Sequence, residues 1–178
     1  MSEKKDVYGT AKKQMRLSER ILAELPGFRG YKEKELRRES DRLIRNHLYR
    51  KLSEAKNHLR TVFQKIADER LFDVASDLDR LTAKFDRITE KVNHASYGYT
   101  GFFDVIKVRE ENLDKMINFD NELLDDVDNI GGQVNALKEI VSKKEYETAK
   151  EHVANLADAV ETFDEALDQR EEAMLGAP

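Results

Sequence analysis

Between Tyr31 and Tyr97 the chain contains neither glycine nor proline. A run of that length without a breaker holds nothing that forces a helix to stop. Its apolar residues recur at helical intervals. Leu36, Leu43, Ile44, Leu48, Leu52, Ala55, Leu59, Phe63 and Ile66 form one stripe. Val74, Leu78, Leu81, Phe85, Ile88 and Val92 follow, at alternating spacings of four and three residues. The second series is a heptad seam. The spacing predicts a helix from Tyr31 to about residue 70, roughly 58 Å long at 1.5 Å per residue. A further helix is predicted over 74–94. Ser76 and Asp79 resemble a capping pair, which puts a break near Leu71–Ser76. One unbroken helix over 31–94 is the alternative, because the stripe drifts rather than resets.

The flanking segments read the same way. Tyr8, Ala11, Met15, Leu22 and Leu25 share a stripe with Ile21 beside it, and Pro26-Gly27 ends this first helix, predicted over 7–25. The segment 95–104, ASYGYTGFFD, reads as a loop, with Phe102–Val108 a short strand candidate. Met116, Phe119, Leu123, Val127, Ile130, Val134, Leu137 and Val141 mark a helix over 109–141. Its seam passes Gly131-Gly132, where a kink is expected. Tyr146, Ala149, Val153, Leu156, Val160, Phe163 and Leu167 mark a last helix over 145–174. The expected fold is all-α, an elongated antiparallel helical bundle or coiled coil of four to five helices packed at shallow angles. A single domain over 1–178 would comprise an amphipathic N-terminal helix and loop (1–30), a long helix or hairpin (31–94), an aromatic and glycine-bearing loop (95–108) and an acidic hairpin (109–178). The seams fit partner helices in the same chain or in another.

Charge divides the chain. Residues 1–65 hold 18 Lys and Arg against 9 Asp and Glu, and residues 66–178 hold 13 against 27. The net −5 thus conceals a basic N-terminal part and an acidic remainder. Charged residues are 38% and apolar residues 39% of the chain, with no cysteine. Disulfides and thiolate metal sites are therefore excluded. The opening MSEKKDVYG lacks the apolar core of a signal peptide, and no stretch of 18 apolar residues exists. These features lead to an expected cytoplasmic location, with any membrane contact at the surface.

Two segments share a Gly-aromatic-x-Gly-aromatic pattern: Gly27-Phe28-Arg29-Gly30-Tyr31 and Gly98-Tyr99-Thr100-Gly101-Phe102. If residues 31–94 form a hairpin, both lie toward one end of it. Phe28, Arg29, Tyr31, Tyr97, Tyr99, Phe102 and Phe103 are then candidates for binding a partner chain or a planar ligand. The plainer reading is an apolar plug that caps the bundle end. A candidate basic face comprises Lys12, Lys13, Arg16, Arg20, Arg37, Arg38, Arg42, Arg45, Arg50 and Lys51. It would suit phosphates of anionic lipid or nucleic acid. Pairs such as Glu33–Arg37 and Asp41–Arg45 suit a solvated helix that docks on the acidic helices of the same chain or of a neighbouring copy.

No constellation argues for a reaction. The histidines are His47, His58, His94 and His152, and no Glu-x-x-His occurs. Glu54/His58 and Glu90/His94 have ligand spacing but read as helix decoration. The acidic run from Asp120 to Asp128 lacks EF-hand spacing and glycine. No catalytic residue, cofactor or metal is expected, and no enzyme.

Residues 26–48, PGFRGYKEKELRRESDRLIRNHL, and 96–120, SYGYTGFFDVIKVREENLDKMINFD, resemble an uncharacterised family of prokaryotic helical proteins. That resemblance implies no activity. The layout is also similar to membrane-remodelling proteins of the PspA and ESCRT-III kind, through Met15–Leu25, the breaker-free stretch from Tyr31 and the charge switch. It implies an amphipathic helix, a basic hairpin and an acidic C-terminal half acting at a membrane. The expected function is a non-enzymatic helical scaffold or adaptor that binds protein, itself or another. An anionic membrane surface is the second expected partner and nucleic acid the third. No small-molecule substrate is expected.

Overall fold

The computed structural model describes residues 19–29, 34–99 and 110–175, with side chains over 19–29, 39–94 and 115–173. The described part is an all-α bundle. Residues 19–24 are the end of a first helix, α1. The others are α2 (Lys34–Asp68), α3 (Phe72–Tyr99), α4 (Glu110–Ser142) and α5 (Tyr146–Leu175). The break between α2 and α3 thus falls a few residues before the capping pair at Ser76. Helix α3 continues through Tyr97, Gly98 and Tyr99, where the sequence suggested a loop. The strand candidate Phe102–Val108 lies outside the described residues. Helix α4 runs unbroken through Gly131-Gly132.

The long helices form two hairpins, α2 with α3 and α4 with α5. Both tips close in the same way. At the first, the Leu71 N–H donates to the Ile66 carbonyl and the Arg70 N–H to the Ala67 carbonyl. At the second, Glu145 donates to Ile140 and Lys144 to Val141. This is the Schellman arrangement, which places one residue in the left-handed region. That residue is Arg70 (φ 59°) in one tip and Lys144 (φ 62°) in the other, neither of them glycine. The ordinary cost of such a conformation is about 1 kcal/mol.

The hairpins bury the same pattern. Leu48, Leu52, Ala55, Leu59, Val62 and Ile66 of α2 answer Leu123, Val127, Ile130, Val134, Leu137 and Val141 of α4. Val74, Leu78, Leu81, Phe85, Ile88 and Val92 of α3 answer Ala149, Val153, Leu156, Val160, Phe163 and Leu167 of α5. Each pair is separated by the same length of chain. Val62, rather than Phe63, occupies the α2 seam, and Phe63 is half-buried beside it. The buried side chains join in one apolar core.

The hairpins lie side by side. Contacts run between α2 and α3, α4 and α5, α2 and α4, and α3 and α5, so α2 and α5 occupy one diagonal and α3 and α4 the other. Lys65–Ser142, Lys84–Glu161 and Arg87–Asp164 each join residues 77 apart. A constant separation along two helices requires that they run in the same direction. Helices are therefore antiparallel within a hairpin and parallel between hairpins. The N-termini of α2 and α4 and the C-termini of α3 and α5 share one end, opposite the tips.

α1 is a fifth layer on the α2/α4 side. It ends at Pro26-Gly27, and Gly27 has φ 99°, a conformation that side chains disfavour. Ile21, Leu25 and Phe28 are buried, whereas Leu22 is 49% exposed. The expected stripe is thus rotated by one residue. A helix lying in a groove between two others buries the face those two helices define, and a short stripe cannot specify that face.

Candidate functional site

Two features link the hairpins and carry most of the chemistry: charged rims and a buried polar layer. On the α3/α5 rim, Lys84 Nζ lies 2.8 Å from Glu161 and Arg87 lies 2.9 Å from Asp164. Lys91 Nζ bridges Asp164 and Asp168, at 2.6 Å from each. Burial opposes the Lys91 charge, but its hydrogen bonds to the two carboxylates outweigh burial and raise its pKa. On the α2/α4 rim, Lys51 Nζ lies 2.9 Å from Asp128. Beside it, Arg20 of α1 grips Asp125 of α4 through two guanidinium nitrogens. In every one of these pairs the cation comes from α1, α2 or α3 and the carboxylate from α4 or α5.

The polar layer lies near the end opposite the tips. Arg170 of α5 is 2% exposed and spans the core diagonal. Its Nε donates to Asp120 Oδ1 at 2.6 Å, and its Nη1 lies 3.0 Å from Asp41 Oδ1. The second contact is an ion pair. Arg45 Nε donates to Asp41 Oδ2 at 2.7 Å. Ser40 and Asn121 are also buried here. The Asn121 amide donates to the Ile117 carbonyl at 2.8 Å, and its Oδ1 is buried without a partner. Two carboxylates and two guanidinium groups make the layer electrically neutral. Such a network is costly to desolvate, and its members tolerate one another only in this registration. It therefore fixes α2, α4 and α5 against each other rather than offering a free acid or base.

The layer was not legible as a site, although a signal for it existed. Asp120 occupies a core position between Met116 and Leu123, and Arg170 follows Leu167 by one turn. A polar residue on an otherwise apolar seam marks a buried polar contact. The sequence reading placed Phe119 on that seam instead, and Phe119 is only half-buried.

The candidate residues divide. Phe28 is 3% exposed and belongs to the core, while Arg29 is exposed. Tyr97 and Tyr99 lie in the last turn of α3. Tyr31, Phe102 and Phe103 lie outside the described residues. Of the basic face, Lys12, Lys13 and Arg16 lie outside the described residues, and Arg37 and Arg38 lie in the first turns of α2. Arg20, Arg45 and Lys51 are engaged by Asp125, Asp41 and Asp128. Arg42 and Arg50 are exposed, and Arg50 lies 3.4 Å from the His47 ring.

The surface hollows are shallow. One lies between α2 and α4, lined by Lys51, Glu54, His58, Asp128, Gly131 and Gly132. Nothing lies within 4 Å of a Cβ built on either glycine. Another runs along the outside of α4 and α5, past Glu122, Asp125, Asp126 and Glu165. Burial, then the neighbouring Glu122 and Asp125, push the Asp126 carboxyl above its ordinary range. Among the described residues no group of three or more His, Asp or Glu is arranged to hold a metal ion. No described helix is long and apolar enough to cross a membrane.

No family model, no curated protein and no solved structure matches the chain. These comparisons lend no support to the layout similarity with PspA and ESCRT-III proteins. The two hairpins and their polar layer define a helical-bundle protein.

Proposed function

We propose that this protein is a non-enzymatic helical scaffold or adaptor that acts by binding protein, a second copy of itself first. One observation carries the reading: the outside of α4 and α5 keeps carboxylates that no cation neutralises, while α2 exposes unpaired arginines. Among the described residues, Arg42, Arg50 and Arg60 of α2 make no ion pair, although Glu39, Glu54 and Asp68 are exposed on the same helix. Among the described residues, Glu122, Asp126, Asp158 and Glu165 of α4 and α5 have no ion-pair partner. The same complementarity already joins the hairpins within the chain. A head-to-tail contact between copies would extend it, with the α2 face of one copy against the α4/α5 face of the next. An anionic membrane or nucleic acid is a poorer fit, because Arg20, Arg45 and Lys51 already hold internal carboxylates.

Light scattering across a salt series tests this. The expected result is a mass above the monomer's 20.6 kDa at low salt, falling toward it as salt screens the exposed charges. Reversal of Arg42 and Arg60 to Glu should lower the low-salt mass. A monomer mass unchanged at every salt concentration would overturn self-association. Flotation of the same protein with acidic liposomes, lost on that reversal, would replace the protein partner by a membrane.

A further inference from the structure

The α1 segment covers the groove between α2 and α4. Arg20 binds Asp125 on α4, and a Cβ on Gly27 would lie 3.7 Å from Leu43 on α2. The segment therefore spans both helices. α4 has a second apolar stripe beside its main seam, and Ile117 and Leu124 on it are buried. The facing residues of α2 are Leu43 and His47, both half-buried. Ile21, Leu25 and Phe28 close over this groove.

His47 is the odd member of the set. Its Nδ1 faces the Arg50 guanidinium at 3.4 Å, and its Nε2 is buried without a hydrogen-bond partner. The charged groups that act on it are Glu24 on α1, Arg50 and Lys51 on α2 and Asp128 on α4. A neutral ring fits, because Nδ1 can accept from Arg50. A protonated ring does not. It would turn an Nδ1–H toward the Arg50 guanidinium, with Lys51 adding repulsion, whereas the Nε2–H lacks an acceptor in both states.

We propose that α1 is a releasable strap, and that proton uptake by His47 loosens it and uncovers the apolar groove between α2 and α4. Lifting α1 removes the cover and lets water solvate both ring nitrogens. Burial first, then Arg50 and Lys51, lower the docked His47 pKa below the ordinary 6.5 and outweigh Glu24 and Asp128. The sign follows. Above 6.5 the ring is neutral in both states and docking is strongest. As pH falls from there through the docked value, the released state holds more protons and docking weakens.

Hydrogen exchange of the intact chain, followed by mass spectrometry between pH 7.5 and 5 and corrected for intrinsic rates, tests the strap. Exchange over residues 19–28 should rise as pH falls, with the opening equilibrium shifting by up to about tenfold per pH unit for one proton. The amides of Val127–Val134 should stay protected, which separates strap release from unfolding. In His47→Gln the dependence should vanish. Should that variant leave the strap open at every pH, the wild-type chain still decides. The midpoint of strap exchange must then coincide with the His47 ring titration followed by NMR. Exchange that is independent of pH in the wild type, or a midpoint away from that titration, would overturn the proposal.

Discussion

The α2/α3 and α4/α5 hairpins bury matching positions, close with the same turn and differ in charge. Residues 34–99 hold 15 Lys and Arg against 11 Asp and Glu, and residues 110–175 hold 6 against 19. Leu48, Leu59 and Phe85 do for the first hairpin what Leu123, Val134 and Val160 do for the second. The buried pattern accounts for what makes each a hairpin. The surface charge accounts for how the two meet, since Lys84, Arg87 and Lys91 find Glu161, Asp164 and Asp168 only when the hairpins lie parallel and in register. The polar layer adds a second register lock at the end away from the tips. There the direction reverses: the acidic hairpin supplies the cation Arg170, and the basic one supplies Asp41.

That reversal is where the comparison breaks most readily. Arg170→Met should destabilise the chain by about 3–5 kcal/mol, because Asp120 and Asp41 would remain buried and lose a cation. Urea unfolding measures it. Replacing Arg45, Arg170, Asp41 and Asp120 together with apolar residues should recover most of the loss, as the uncompensated charge then disappears. Equal loss in the single and quadruple variants would show that Arg170 acts through packing alone.

A smaller asymmetry lies in mid-helix. Where α4 has Gly131 and Gly132, the matching positions in α2 are Lys56 and Asn57. The glycines are helical and have open space where a side chain would project. Gly131→Ala and Gly132→Ala should each stabilise the chain by about 0.5–1 kcal/mol, read as a rise in the urea midpoint. A loss instead would mean that the hollow they open beside Lys51 and His58 is needed by the bundle.

The seams were legible because heptad spacing reports a buried stripe whatever covers it. Helix ends were less so. The break between α2 and α3 carries no glycine, since Arg70 takes the left-handed position that glycine usually marks, and Lys144 repeats this in the second tip. The glycine at position 98 drew a loop onto residues that the structure places in α3. Ile21 and Leu22 exchanged roles because two neighbouring helices, and not the α1 stripe, decide which face is covered. The charge switch was plain and left two uses open, pairing with the protein's own acidic helices or an outside anion; Arg20, Arg45 and Lys51 are held by carboxylates of the same chain. Asp120 and Arg170 each stood at a seam position, but nothing in the sequence paired them, because the two residues are 50 apart.

The central claim is that the basic hairpin is zipped to the acidic one within a single chain. A charge swap tests it most directly. Changing Lys84, Arg87 and Lys91 to Glu should lower the unfolding free energy at low salt, by under about 1 kcal/mol for each exposed pair lost. Changing Glu161, Asp164 and Asp168 to Lys in the same molecule should restore it. If the second set of changes adds to the loss instead of cancelling it, the two rims do not face each other and the account fails.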